Sequence, residues 1–334
     1  MKFTFINKDR VLELANQLRT LQTHFLDRYD VDDVYGNSKI FEIITADKLG
    51  HELIPGHSGS RDARDKDGNE IEYKHFKETS SNHSWTFNDF SDTTINKLND
   101  IKAVLFTHIN DTSGIYEFDW YYDVEGKIIA NYLTEATLSI RNTRKMINIG
   151  PRQIEKKLGI YKTYVTNQNM NGVYTQDLNR IFKVIKDLEK ETGVDNILTS
   201  NKIWEVLTAI HLNHNVNSEQ GGRAGAHDAY DEFGNQYEYK ISKSNSWNFQ
   251  DISENVLKKY ESLENFILAI KDVHSTSIKK IYVVDIELLN RIKEKLEEKA
   301  IRFAEKGKLV RRLQISITLN DTKPYLLEEL TPSF

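Results

Sequence analysis

One thirteen-residue pattern occurs twice in this chain, at residues 62–74 and 228–240, and eight of its thirteen positions are identical. Each copy contains an aspartate, nine further residues, a glutamate, one residue and a lysine. These residues are Asp62, Glu72 and Lys74 in the first copy and Asp228, Glu238 and Lys240 in the second. Paired carboxylates suit Mg²⁺, which prefers oxygen ligands, and a nearby lysine can orient a water or stabilise charge that develops on a phosphate. The repeat therefore predicts two sites that could hydrolyse phosphodiesters.

The spacing within each copy predicts how the three side chains meet. Glu72 and Lys74 are two residues apart, so on a strand they point to the same face, while Tyr73 points to the other. A turn at Asp67 and Gly68 would bring Asp62 back beside them. A single copy is a weak signal, because an exposed, charged strand contains the same spacing by chance. Two copies in register favour the catalytic interpretation.

The repetition extends beyond the motif and predicts a duplicated domain. Residues 39–45 parallel 202–208, residues 31–34 parallel 194–197, and residues 84–87 parallel 246–249, with an offset between 162 and 166. A period of half the chain indicates two copies of one domain rather than a solenoid of short repeats. The predicted division is a first domain at 1–165, a linker at 166–175 and a second domain at 176–334.

Helical and strand patterns alternate in both copies, which predicts a mixed α/β fold with a central sheet flanked by helices. Each copy begins with an amphipathic helix, whose apolar positions form core or pack the two helices on each other; they are Val11, Leu14, Leu18, Leu21 and Phe25, and Leu178, Ile181, Ile185 and Leu188. Further helices are predicted at 38–48, 201–212 and 287–305. Strands are predicted at 70–76, 103–107, 116–122, 236–241, 266–270 and 280–285. Glu42 and Glu205 lie at matching places in the second helix of each copy, where they could reach a metal through a water.

Composition limits the class of protein. The 334 residues are 39% hydrophobic and 28% charged, contain no run of eighteen apolar residues, and begin without the long apolar region of a signal peptide. Cysteine is absent, which excludes disulfides and thiolate zinc sites and suits the cytoplasm. A net charge of −5 argues against a highly basic, non-specific nucleic-acid binder but allows a basic cleft.

On these residues the chain resembles the PD-(D/E)XK nuclease superfamily and, more narrowly, PvuII-type type II restriction endonucleases. The resemblance rests on the N-terminal helix, on residues 36–39 and 53–56, and on the Asp-Ala-x-Asp-x-x-Gly string that leads to Glu-Tyr-Lys. It covers nearly all of the first half and most of the second. It implies Mg²⁺-dependent cleavage of duplex DNA at a short specific sequence, with both Asp, Glu and Lys sets catalytic. Enzymes of that type are homodimers, so this chain would be a single-chain pseudo-dimer.

The segments after each catalytic lysine are the predicted recognition loops. Where the family carries histidines that contact guanine, this chain has residues 84–88 and 246–250, which implies a different recognised sequence. Amides can pair bidentately with adenine, and hydroxyls can reach base edges or phosphates. The candidate DNA-binding residues are Ser84, Asn88, Ser246, Asn248 and Gln250, together with Asn37 and Asn201 ahead of the second helices. The aromatic residues Trp85, Phe87, Trp247 and Phe249 are predicted to anchor these loops by packing.

The resulting expectation is a Mg²⁺-dependent type II restriction endonuclease with one active site for each strand. A restriction role predicts a companion DNA methyltransferase. The halves differ in sequence, which allows an asymmetric target, and a further dimerisation on DNA is a second arrangement. The alternatives are a structure-selective or repair nuclease and a non-catalytic DNA-binding protein that keeps the nuclease fold.

Overall fold

The structure is a computed structural model that describes residues 7–36, 39–55, 61–112, 116–138, 145–165, 172–198, 202–217, 227–305 and 314–332. It divides into two compact units. The first unit, His24–Lys183, contains the first copy of the motif, and the second unit, Met1–Thr23 with Val184–Phe334, contains the second copy. Both boundaries fall inside long helices, so this spatial division is distinct from the repeat boundaries drawn on the sequence. Residues 166–171 of the predicted linker lie outside the described residues.

The chain up to residue 165 contains one six-stranded mixed sheet. Its elements are α1 (Lys8–Tyr29), α2 (Lys39–Leu49), β1 (Glu52–Leu53), β2 (Ala63–Arg64), β3 (Glu70–Lys77), β4 (Trp85–Phe90), α3 (Asp92–Leu98), β5 (Ala103–Asn110), β6 (Glu117–Glu125), α4 (Gly126–Ala136), β7 (Lys145–Ile149), α5 (Pro151–Gln153) with a π-helical turn (Ile154–Leu158), and β8 (Thr163–Tyr164). The strand order is β1-β2-β3-β5-β6-β8. Only the β3–β5 pair among these described strands is parallel, so the chain crosses over between them.

The remainder of the chain contains a second six-stranded sheet with the same topology. Its elements are α6 (Thr175–Thr192), α7 (Lys202–Leu212), β9 (Asn215–Val216), β10 (Ala229–Tyr230), β11 (Gln236–Ser242), β12 (Ser246–Phe249), α8 (Glu254–Tyr260), β13 (Asn265–Asp272), β14 (Ser277–Asp285), α9 (Leu288–Glu305), β15 (Ile315–Thr318), α10 (Leu319–Thr322) with a 3₁₀ turn (Lys323–Tyr325), and β16 (Leu326–Leu330). The order β9-β10-β11-β13-β14-β16 repeats that of the first sheet, and β11–β13 is its parallel pair. The prediction of a mixed α/β fold in two similar halves is confirmed.

A separate two-stranded ribbon accompanies each sheet. Strand β4 pairs with β7, and β12 pairs with β15, both antiparallel. The prediction of loops at 84–88 and 246–250 is therefore wrong for most of each segment. Alternating large apolar and small polar residues favour a strand with one buried face, and that pattern was present in both segments.

Each ribbon is anchored by its aromatic residues, as predicted. Trp85 and Trp247 are almost fully buried, and Phe87 and Phe249 pack in the same clusters. The indole Nε1 of Trp85 donates to the carbonyl of Thr107 at 2.8 Å, and Trp247 makes the corresponding bond at 2.9 Å. A buried indole needs such an acceptor, because an unpaired donor in the core costs about 1–3 kcal/mol. The ribbons are thereby fixed to the sheets that carry the motifs.

The apolar stripes predicted on the first helix of each copy are buried throughout. In α1 this holds from Val11 to Phe25, and in α6 from Leu178 to Leu188. Helices α2, α7 and α9 also begin and end within one or two residues of their predicted bounds. None of the helices in the described ranges combines the length and apolar character that a membrane span requires.

Candidate active site

A tight hairpin turn brings the motif aspartate back to the motif strand in both copies. The carboxylate of Asp65 accepts hydrogen bonds from the backbone N–H groups two and four residues later, both at 2.9 Å, and Asp231 does the same. Gly68 and Gly234 take positive φ angles of 80° and 84°, a conformation that glycine adopts without a steric penalty. The repeated Asp-x-x-Gly is therefore a turn-forming element.

The backbone of the motif strand holds the aspartate side chain. The N–H of Tyr73 donates to Asp62 Oδ2 at 2.7 Å, and the N–H of Tyr239 donates to Asp228 Oδ2 at 2.8 Å. The aspartates are also tied by their own N–H groups, because Asp62 donates to the carbonyl of Ile71 at 2.9 Å. The aspartate, the glutamate and the lysine are thus brought together in both units, as the side-chain alternation predicted.

The motif glutamate is buried, and one of its carboxylate oxygens accepts a hydrogen bond from the motif lysine. Glu72 and Glu238 are 6% and 8% exposed. Lys74 Nζ donates to Glu72 Oε1, and Lys240 makes the same ion pair with Glu238. The other oxygen of Glu72, Oε2, is buried and accepts no hydrogen bond. A buried carboxylate oxygen without a donor is costly, so this atom marks a place for a cation or a water.

The second helix of each copy adds a carboxylate and a lysine. Glu42 forms an ion pair with Lys39, and Glu205 forms one with Lys202 at 2.5 Å. Both glutamates act electrostatically on the motif residues, which fits their predicted auxiliary position. The two helix lysines were not singled out from the sequence, although their identical spacing to the glutamates was a usable signal.

Burial and mutual repulsion raise the pKa values of the clustered carboxyls. The pKa of Asp62 is well above its ordinary value because the group is buried and because Glu72 and Glu42 repel its charge. In the second unit, burial and repulsion by Asp228 raise the pKa values of Glu205 and Glu238 to about 7. Each cluster brings three carboxyls against two lysines, so its negative charge is only partly neutralised.

The motif lysines are held in the charged form. Burial by itself lowers the pKa of Lys74, but Glu72 and then Asp62 outweigh it, and the resulting pKa is raised. Lys240 follows the same pattern with Glu238 as its main partner. Both lysines are therefore ammonium groups at neutral pH, which suits them to electrostatic work and excludes them as general bases in this state.

A histidine fastens the tyrosine of the Glu-Tyr-Lys sequence in both units. His51 Nδ1 lies 2.8 Å from the Tyr73 hydroxyl, and His214 Nδ1 lies 2.8 Å from the Tyr239 hydroxyl. These histidines follow α2 and α7 at equivalent positions of the repeat. Each histidine therefore positions the motif strand through the tyrosine hydroxyl. This role was missed from the sequence, although the equal placement of the two histidines pointed to it.

The two clusters differ in one neighbour of the motif glutamate. The hydroxyl of Tyr260, at the end of α8, donates to Glu238 Oε1 at 3.3 Å. The equivalent residue at the end of α3 is Leu98, which lines a cavity of about 290 Å³ together with Glu72 and Lys74. The second glutamate therefore has a phenol donor where the first has an apolar side chain.

Some of the predicted DNA-binding residues lie beside the Asp, Glu and Lys sets of the motif. Ser246, Asn248 and Gln250 line one cleft of about 400 Å³, which also contains Glu205, Asp228 and Lys240. In the first unit, Asn88 lines the cavity of Glu72 and Lys74. Ser84 lies at the entry to β4, where its hydroxyl donates to Asn82 at 2.7 Å. Asn37 and Asn201 fall outside the described residues.

Each ribbon carries a cross-strand hydroxyl–amide pair at the same register. Thr86 donates to Asn148 Oδ1 at 2.8 Å, and Ser316 donates to Asn248 Oδ1 at 2.6 Å. The two pairs are equivalent, because Thr86 faces Asn148 and Asn248 faces Ser316 in the ribbon registers. Thr86, Asn148 and Ser316 were not anticipated from the sequence.

Among the described residues, no group of three or more histidines, aspartates and glutamates is arranged so that it could hold a metal ion. Comparison with known proteins gives no family assignment, since no family model and no curated protein matches the chain.

Proposed function

We propose that the chain is a Mg²⁺-dependent, sequence-specific endonuclease of duplex DNA, a single-chain pseudo-dimer with two active sites, of the PvuII-like type II restriction class within the PD-(D/E)XK superfamily. The observation that carries the proposal is that both units build the same buried cluster from separate parts of the chain. In each unit a turn delivers the aspartate, a strand delivers the glutamate and lysine, and a helix delivers a second glutamate. If these side chains were only surface charges, nothing would require the same arrangement in both units.

The residues of each cluster fit a hard divalent cation. Asp62 and Glu72 would hold it in the first unit, and Asp228 and Glu238 in the second, with the helix glutamate acting through a water. The fit rests on the buried Glu72 Oε2, which accepts no hydrogen bond, and on carboxyls whose pKa values are raised by burial and by neighbouring carboxylates. When bound, Mg²⁺ would polarise the scissile phosphate and make an attacking water more acidic.

The protein groups then have separate tasks. The lysine is a fixed ammonium group, so it stabilises negative charge on the phosphate or orients the attacking water. Glu205 has a pKa of about 7, which suits a group that accepts a proton from water near neutral pH. In-line attack forms a bond between the water oxygen and phosphorus while the helix glutamate takes the water's proton, and it breaks the bond between phosphorus and O3′. The leaving oxygen takes a proton from solvent, which gives a 5′-phosphate and a 3′-hydroxyl. The buried cluster keeps each of these groups oriented before substrate arrives.

The exposed faces of the ribbons are the proposed base-contacting surface. Asn248 and Gln250 share a cleft with Asp228 and Lys240, so a duplex whose phosphate lies at the catalytic set would place base edges near these amides. An amide can hydrogen-bond both N6 and N7 of adenine in the major groove. The role in restriction, with a companion methyltransferase, follows from site-specific cutting.

Digestion of a long, unmodified DNA of known sequence tests the proposal. The protein is incubated with phage genomic DNA and Mg²⁺, with EDTA as the control. Discrete fragments that appear only with Mg²⁺ are expected, and their ends define the recognised sequence. A smear of products would favour the structure-selective or repair nuclease. Binding without cutting on any DNA would refute the enzyme and favour the non-catalytic DNA-binding protein.

A further inference from the structure

Helix α9 carries a row of basic side chains into a cavity of about 480 Å³ beside β15. Arg291, Lys295, Lys299 and Arg302 line it, at spacings of four, four and three residues, which place them on one side of the helix. The described lining holds these four basic side chains and one acidic one, Glu298. Arg291 also forms ion pairs with Glu294 and Glu298 and, like Lys295, with Asp321, so three carboxylates balance part of this positive charge.

The first three side chains of this row are held in place by hydrogen bonds. Asp321 accepts hydrogen bonds from Arg291 Nε at 3.2 Å and from Lys295 Nζ at 2.6 Å. Lys295 also donates to the carbonyl of Ser316 at 3.0 Å, and Lys299 donates to the carbonyl of Gln314 at 2.6 Å. These bonds clamp the helix onto the ribbon strand. The row of cations is preorganised rather than spread over flexible side chains.

The outer end of the row places Lys299 and Arg302 close together in the lining of the cavity. Partial burial and repulsion by Arg302 lower the pKa of Lys299. Arg302 itself is exposed. An anion placed between Lys299 and Arg302 would relieve this repulsion and use donors that are already oriented.

The basic cleft is continuous with the candidate active site of the second unit. Asn248 lines both this cavity and the cleft of Asp228 and Lys240. The first unit has no equivalent row in its described residues, because the matching helix α4 carries Lys127 as its one basic residue.

We propose that the cleft between α9 and β15 binds backbone phosphates of duplex DNA that flank the second active site. This inference rests on the proposed function and assigns its DNA-anchoring surface. Phosphates of a polymer fit because four cations follow the helix for three turns and lead to a side chain in the active-site cleft.

The test is the salt dependence of duplex binding, measured by fluorescence anisotropy in EDTA so that no cleavage step is involved. The variant Lys299→Ala with Arg302→Ala removes two phosphate contacts. Its slope of log affinity against log salt should be smaller by about 1.8, and its affinity at 0.15 M salt should be about 30-fold weaker. The charge-preserving variant Lys299→Arg with Arg302→Lys should bind within about threefold of wild type, which separates charge from folding. Lys127→Ala in the first unit is the matched control and should leave the slope unchanged.

Equal salt slopes for wild type and the double alanine variant would overturn the cleft assignment, as would a wild-type protein that binds no duplex DNA. A parallel plasmid digestion with Mg²⁺ separates the two proposals. If wild type cuts normally and the variant has an unaltered salt slope, the phosphate-binding role of the cleft is refuted and the nuclease proposal stands. If the variant has a reduced salt slope but wild type does not cut, the cleft is a DNA-binding surface and the nuclease proposal is refuted.

Discussion

In the absence of metal, the buried carboxyls of the second cluster should lower the protein's free energy of unfolding above neutral pH. The pKa of Glu238 is about 7 in the folded state, against an ordinary value of 4.5, because burial and Asp228 disfavour its charge more than Lys240 favours it. The folded state therefore binds this proton more tightly than the unfolded state, and stability falls as pH rises from about 4.5 to 7. A difference of about 2.5 pKa units corresponds to about 3 kcal/mol once both states are ionised.

The substitution Glu238→Gln keeps the shape of the neutral carboxyl and removes this cost. Urea unfolding in EDTA, followed by tryptophan fluorescence, should show a free energy of unfolding about 3 kcal/mol higher than wild type at pH 8. At pH 5 the gain should be less than about 1 kcal/mol, since the wild-type group is then mostly protonated in the fold. Mg²⁺ should stabilise wild type more than the variant, because the variant lacks one of the two charged ligands.

Glu232→Gln is the matched control, since Glu232 is an exposed carboxylate on the hairpin of the same motif. Its effect should be within about 0.5 kcal/mol at both pH values. A Glu238→Gln protein that is less stable than wild type at pH 8, or that gains equally at pH 5 and pH 8, would refute the conclusion that repulsion and burial dominate this cluster.

Three further predictions concern protonation. Loss of the Tyr260 hydroxyl in Tyr260→Phe removes a bond that lowers the pKa of Glu238, so the pH profile of nicking by the second site, measured with the first site inactivated, should move upward by about 0.5–1 unit. A downward shift or none would contradict the positioning role. Burial lowers the pKa of His75 to about 4, so the unfolded state binds this proton more tightly than the folded state does. The free energy of unfolding therefore decreases as pH falls from about 6.5 toward 4. His75→Ile introduces the residue found at the equivalent position, Ile241. Its gain in the free energy of urea unfolding over wild type should be about 2 kcal/mol larger at pH 5 than at pH 7.5. A gain that does not depend on pH would contradict this prediction. Apparent Mg²⁺ affinity, measured by calorimetry, should fall about fivefold from pH 7 to pH 6 for each carboxyl with a pKa of about 7 that must lose a proton, and a flat profile would argue against metal binding at these groups.

The sequence predicted the parts of the fold that depend on local periodicity and internal repetition. The strand at Glu70–Lys77 and its counterpart at Gln236–Ser242 followed from alternation after an Asp-x-x-Gly turn. The clustering of Asp62 with Glu72 followed from the same two features. These inferences succeeded because a turn and a strand fix side-chain direction over a few residues, without knowledge of the rest of the fold.

The features that were missed depend on contacts between distant segments. The ribbon partner of β4 is fifty-five or more residues away in sequence, and its strand pairing cannot be inferred from local pattern. Tyr260 reaches Glu238 only because the crossover helix α8 ends over the sheet, and His51 reaches Tyr73 only because α2 ends beside β3. A side chain brought in by a crossover carries no spacing signal relative to the motif that it supports.

Cleavage of supercoiled plasmid with Mg²⁺ tests the central claim most directly, by comparing wild type, Asp62→Asn, Asp228→Asn and the double variant. If each unit cuts one strand, wild type should linearise the plasmid, each single variant should mainly nick it, and the double variant should leave it intact. Full double-strand cutting by either single variant would contradict two strand-assigned sites, and intact plasmid with wild type on DNA that contains the recognised sequence would contradict the nuclease itself.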